Sequence, residues 1–201
     1  MNNQVSGPND WAPLSPVEAG RVFAGFPGLW AIAGGWAIDL FIGQQTRPHA
    51  DIDIVIDRRV AARLHHALPG WELFLAHRFV CRWAEASPVP AEVSDIWCRR
   101  PEGPWQFQVM LGDFDEGSWF YRRNHAIHGP IFSLTVERAG LPIVAPEIQL
   151  LYKSTRANLA KNQHDFSQVL PLLDDQRRSW LADALGRTNP DHPWLVTLGT
   201  A

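Results

Sequence analysis

The chain has 201 residues, with 18 Lys and Arg against 21 Asp and Glu, a formal net charge of −3, and two cysteines. That length holds one full core, or a core and a small second lobe. The charge balance, with no basic run beyond a pair such as Arg99-Arg100, Arg122-Arg123 or Arg177-Arg178, disfavours a nucleic-acid partner, which usually meets a basic face. Cys81 and Cys98 make neither a disulfide framework nor a metal-ligand spacing and read as reduced, structural thiols. No apolar run reaches the roughly 18 residues of a membrane span, and the N-terminus lacks a targeting pattern, so a cytoplasmic location is expected.

In chain order, residues 1–13 are polar and rich in Gly, Pro and Asn and read as a loose leader. Leu14 to Phe26 reads as a helix, with Ser15 as N-cap, Pro16 in the first turn and Glu18 placed to complement the dipole. Leu29 to Ala33 is an apolar strand that runs into Gly34-Gly35. A helix from Trp36 to Ile42 follows and stops at Gly43. After a loop with Arg47-Pro48-His49 comes Asp51-Ile52-Asp53, opening a strand that continues to Ile56. Arg58 to Leu68 reads as a helix, with Val60, Leu64 and Ala67 at helical spacing. Short strands are expected at Trp71 to Leu75, Arg78 to Trp83, Ser94 to Cys98, Trp105 to Leu111 and Ser118 to Arg122. From Pro146 the pattern turns helical, with helices expected near Pro146, from Gln163 to Leu173 and from Asp174 to Leu185. The fold class is α/β (α+β): a mixed sheet with flanking helices over residues 1–144, then a helical lobe over 145–201.

The chemistry is concentrated between residues 34 and 53. Glycine lets a backbone approach a phosphate closely, and a helix N-terminus offers free N–H groups. Residues two apart on a strand share a face, with α-carbons roughly 6.5–7 Å apart, so Asp51 and Asp53 converge on one group of hard cations. Magnesium held by a few carboxylates and completed by phosphates is the usual form of such a site. Arg47 suits a phosphate oxygen through its planar fork, and His49 could orient Asp51 or a substrate. Asp39, one turn into the helix, complements its dipole. The ten tryptophans, among them Trp36, Trp97, Trp105 and Trp119, read mainly as core.

The ordered set Gly34-Gly35, Arg47-Pro48-His49, Asp51-Ile52-Asp53 resembles the polymerase-β-type nucleotidyltransferase superfamily. The string GGWAIDLFIGQQTRPHADIDI is similar to its aminoglycoside and lincosamide nucleotidyltransferase branch. The resemblance extends to Trp119–Arg123, to Pro146-Glu147 with Leu150, Leu151 and Lys153, and to Asp165-Phe166. It implies transfer of a nucleoside monophosphate, AMP before others, from a triphosphate to a hydroxyl of a small molecule. Mg²⁺ (or Mn²⁺) on Asp51 and Asp53 would assist, and ATP is the expected co-substrate. Gly34, Gly35, Arg47, His49, Lys153 and Asp165 are the candidate nucleotide-binding residues. Lys153 would sit near the leaving pyrophosphate, and Asp165 would brace it or touch the sugar or base. The superfamily carries a third carboxylate on a later strand; here that position holds Gln108, which makes Asp95 on the preceding strand the first candidate replacement and third catalytic residue, with Glu92, Asp113 and Asp115 behind it. The acceptor could be an aminoglycoside, a lincosamide or a metabolite, and the protein a monomer or homodimer. The other readings are a protein-modifying or antitoxin-type enzyme, and a protein that binds nucleotide without turnover.

Overall fold

The computed structural model describes residues 10–85 and 87–199. The expected leader therefore lies mostly outside the described residues. Its last part is not loose: Trp11 bridges to Trp105, and the Ala12 and Leu14 amides donate to the Trp105 and Gln106 carbonyls, both at 2.9 Å.

Helix α1 (Pro16–Phe23) begins as its sequence dictates, with Ser15 and Glu18 forming a reciprocal capping box. Strand β1 (Trp30–Ala33) enters helix α2 (Gly34–Ile42), which starts two residues before the expected Trp36 and ends on Gly43 in the left-handed conformation, φ 88°. Strand β2 covers Asp53–Asp57. The expected helix over 58–68 is a 3₁₀ segment, Arg58–Arg63, followed by one α-turn, α3 (Leu64–Ala67). The antiparallel strands β3 (Glu72–Ala76), β4 (Val80–Arg82) and β5 (Asp95–Arg99) follow. Strand β6 (Trp105–Asp115) runs four residues past the expected end, because its last part bends away to pair with β7 (Ser118–Phe120).

Three strands have no counterpart in the sequence reading: β8 (His128–Pro130), β9 (Thr135–Arg138) and β10 (Leu141–Val144). The helices α4 (Pro146–Ser154), α5 (Ala160–Val169), α6 (Asp175–Thr188) and α7 (Trp194–Leu198) complete the described chain. No helix among the described residues is long and apolar enough to cross a membrane.

The result is a mixed α/β fold around a 10-stranded sheet in the order β4-β3-β5-β6-β2-β1-β10-β9, with β7 and β8 branching from β6. Two apolar clusters flank it. Ile54, Ile56 and Val109 point into the cluster shared with α1 and α3. Val55 and Met110, on the opposite face, pack against the cluster that holds Ile148, Leu151, Phe166 and Leu185 of the C-terminal helices. Alternation along β2 and β6 thus gives one face to a dry core and the other to the helices. Cys98 is buried, but Cys81 lies exposed on the edge strand β4 and has no packing role, which corrects its reading as a structural thiol.

Candidate active site

The turn from β1 to α2 is shaped by what lies against it. Gly34 has φ +68°, and a Cβ there would overlap the Asp53 carboxylate. A Cβ on Gly35 would collide with the imidazole of His49 and the guanidinium of Arg47. Both glycines are therefore required by the packing of the acidic strand and its loop, whatever else they do. The Gly34 amide donates to Oε1 of Gln149 on α4 at 2.9 Å. A side chain missed in the sequence reading thus holds a donor expected to face phosphate. Gln149 and Lys153 stand four apart on one helix and share a face, the pattern that could have flagged it.

The carboxylates meet on the helix-facing side of the sheet. Asp53 of β2 pairs in register with Gln108 of β6, Gln108 pairs with Trp97 of β5, and Asp95 pairs with Met110. Nε2 of Gln108 donates to Oδ1 of Asp95 at 3.2 Å, Trp97 Nε1 donates to Gln108 Oε1 at 2.9 Å, and Ser94 Oγ donates to Asp95 Oδ2 at 2.7 Å. Asp51 precedes the strand and is exposed, so it is not a strand residue as expected, although the Ile52 carbonyl beside it accepts from the Gln108 amide at 2.9 Å. Burial, and then the Asp51 charge, push the Asp53 carboxyl up to about 7, against the opposing pull of Lys153. Asp95 is also raised, first by burial, with Ser94, Arg122 and Arg58 pulling it back.

Behind the carboxylates lies a chain of charges. Asp165, fully buried on α5, accepts Arg47 in two-pronged fashion, Nε at 2.8 Å and Nη2 at 2.9 Å, and pairs with Lys153 Nζ at 2.8 Å. Burial would raise Asp165, but Arg47 and Lys153 hold it below the usual carboxylate range. Arg47 Nη1 lies 3.1 Å from His49 Nδ1, and His49 Nε2 lies 2.5 Å from Asp39 Oδ2, whose other oxygen accepts from Thr46 at 2.6 Å. The Trp36 ring covers His49, with centroids 4.5 Å apart. Two expectations change. His49 orients Asp39 rather than Asp51. Asp39 is a buried acceptor serving the 46–49 loop, not a carboxylate that merely complements the dipole of α2. Lys153 and Asp165 do meet, and Lys153 also lies near enough to Asp53 to lower its pKa.

A cavity of about 500 Å³ opens beside Asp95, between the sheet and α4, and Met110, Arg122, Gln149 and Tyr152 line it. Arg122 and Arg123 lie beyond the end of β7, which stops at Phe120 and not at the expected Arg122; Arg123 is exposed and Arg122 half-buried, and both line the cavity.

The model of the aminoglycoside-2''-adenylyltransferase family matches residues 21–169. The chain belongs to that family. It is a nucleotidyltransferase. No curated protein sequence matches. Among solved structures, the lincosamide adenylyltransferase LnuA with lincomycin bound is similar over 82% of this chain and all of that one, at 17% identity and TM-score 0.56. ANT(2'')-Ia in complex with adenylyl-2''-tobramycin is similar over 84% of this chain and 93% of that one, at 15% identity and TM-score 0.54. At such identities the likeness concerns the fold.

The donor set fits a hard divalent cation. Among the described residues no group of three or more His, Cys, Asp or Glu is arranged to hold one. Asp51 and Asp53 instead supply two carboxylates whose mutual repulsion and burial a cation would relieve, leaving its other positions to phosphates and water.

Proposed function

We propose that this nucleotidyltransferase moves AMP from ATP to a hydroxyl of a small molecule in the cytoplasm and releases pyrophosphate. The observation that carries the reading is the alignment of Asp53, Gln108 and Asp95 on one sheet face, beside a cavity and within the field of Lys153. Residues 1–144 supply the carboxylates, and the helices after 145 supply Lys153, Asp165 and Gln149.

A magnesium or manganese ion on Asp51 and Asp53 would neutralise the phosphates and orient the α-phosphorus. Asp95, raised by burial and held by Ser94 and Gln108, takes the proton of the acceptor hydroxyl. The hydroxyl oxygen forms the new bond to the α-phosphorus, the bond to the β-phosphate oxygen breaks, and pyrophosphate leaves with that electron pair. Lys153 faces the departing charge, while Asp165 fixes Lys153 and Arg47 in place. Gln108 orients Asp95 and removes the repulsion a third carboxylate would add beside Asp53.

The test is incubation with labelled ATP, GTP, CTP or UTP, magnesium, and a panel of aminoglycosides, lincosamides and bacterial lysate. Label should pass from ATP to a small molecule with stoichiometric pyrophosphate, and Asp53→Asn should abolish it. Label appearing on protein alone, or in no fraction, would refute the reading.

A further inference from the structure

Gln149 stands one helical turn before Lys153 on α4 and is 7% exposed, a carboxamide set between the buried Ile148 and Leu150. Burying an amide is costly unless both of its ends find partners. One end has found its own: Oε1 accepts from the Gly34 amide at 2.9 Å. A backbone N–H only donates, so the atom facing it is the carbonyl oxygen, and the hydrogen bond settles which way the carboxamide is turned. Nε2 is thereby directed away from Gly34, and among the described residues nothing accepts from it.

Gln149 lines the cavity that holds Asp95, whereas Lys153 does not. Lys153 is committed to Asp165 and acts on Asp53. Gln149 thus marks a border. Behind it is the Gly34 turn, with the Asp53 carboxylate pressed against it, and in front is the space beside Asp95. A primary amide nitrogen has N–H donors and no lone pair to offer a cation, so what it recognises is an oxygen acceptor. Next to an acidic pair a neutral donor suits a phosphoryl oxygen, because a hydrogen bond to an anion is roughly twice as strong as one between neutral groups.

We propose that Gln149 contacts the nucleotide directly: its carbonyl holds the Gly34 turn, and its amide donates to a non-bridging oxygen of the α-phosphoryl group. That contact places the group in transfer at the border of the cavity. The assignment rests on the transfer reading above and names the residue that locates the phosphorus under attack.

Calorimetric titration of the full chain with magnesium at about pH 8, above the glutamate range and with no acceptor present, compares ATP, AMP and inorganic pyrophosphate. Gln149→Met, similar in volume but without either polar atom, should weaken ATP and AMP alike by roughly tenfold to a hundredfold, the range for a hydrogen bond to a charged group. Pyrophosphate, which lacks the α-phosphoryl group, should lose much less. Gln149→Glu keeps an acceptor for Gly34 but lacks the donor, and should lose ATP at least as heavily. Unchanged cooperative melting reports that each variant is folded. In the native chain one diastereomer of ATPαS, with sulfur replacing the contacted oxygen, should bind more weakly than ATP, and Gln149→Met should abolish that penalty. A side chain that only braced Gly34 would leave it in place. Native ATP affinity in Gln149→Glu, equal losses of ATP and pyrophosphate, or an unaltered penalty for both diastereomers would overturn the proposal. The expected binding pattern with no label passed to any acceptor would sink the transfer reading and leave the contact standing. Label transfer by the native chain without that pattern would do the reverse.

Discussion

The side-chain amide of Gln108 donates to the Asp95 carboxylate at 3.2 Å while its carbonyl accepts from Trp97 at 2.9 Å, so the glutamine has one fixed orientation and Asp95 one fixed neighbour. Asp95→Asn should lower turnover by roughly 10² to 10⁴, the range for loss of a general base, with nucleotide affinity little changed. Gln108→Glu keeps an acceptor for Trp97 but places a third negative charge beside Asp53. In that variant the magnesium concentration for half-maximal activity should fall, and thermal stability without metal should fall too. Steady-state kinetics over a magnesium series and metal-free melting curves check both.

Asp53 gives a pH dependence of defined sign. Its carboxyl is pushed up to about 7 by burial and by Asp51, so the fold favours the protonated form. That contribution is fully present below the unfolded value of about 4 and is lost as pH rises through about 7. Asp53→Asn should therefore raise the melting temperature of the metal-free protein at about pH 8 by on the order of 5 °C, and much less at about pH 4, while abolishing transfer at both. Magnesium should stabilise the native chain more than the variant. Differential scanning calorimetry with and without chelator measures this.

Asp165 has the opposite sign. Held below the ordinary range by Arg47 and Lys153, it stabilises the fold above its unfolded value of about 4, and that contribution is lost as pH falls through the folded value. Asp165→Ala leaves two largely buried cations without their carboxylate and should cost roughly 3–5 kcal/mol in urea titrations. Lys153→Ala should weaken ATP more than AMP in binding assays. Equal losses would remove Lys153 from the pyrophosphate end.

The glycine turn has a structural role that kinetics alone would misassign. Gly35→Ala should disturb the 46–49 loop, because the new methyl group meets His49 and Arg47. Its signature is an altered Trp36 fluorescence, since the Trp36 ring lies tilted against His49, together with lost stability in the absence of nucleotide. A variant with native stability and spectrum but weak ATP binding would return the glycine to a purely phosphate-contacting role.

Much of the catalytic half was legible because its signals are local. The Ser15 and Glu18 cap, the strand into Gly34-Gly35 and the alternation after Asp53 each sit within a few residues of sequence. What was missed depends on partners far away. Strand β10 has four residues, one of them Pro142, and is a strand because Ile143 pairs with Ile32 across the sheet and Val136 flanks it. The edge strand β9 has Val136 as its one apolar residue among four, and β8 consists of His, Gly and Pro. The placing of Asp95 next to Gln108 follows from the antiparallel return of β5 onto β6, which no spacing announces. The tie from Arg47 to Asp165 spans 118 positions, and only the family resemblance singled out both ends.

That span orders events during synthesis. The Gly-Gly turn, Asp51 and Asp53 leave the ribosome long before Asp165, which follows Arg47 by 118 residues. Until α5 docks, Arg47 and Lys153 have no common counter-ion and the 46–49 loop lacks its clamp. A nascent or prematurely terminated chain ending ahead of Asp165 therefore carries nearly the whole sequence signature of the enzyme without a site that holds its charges in register.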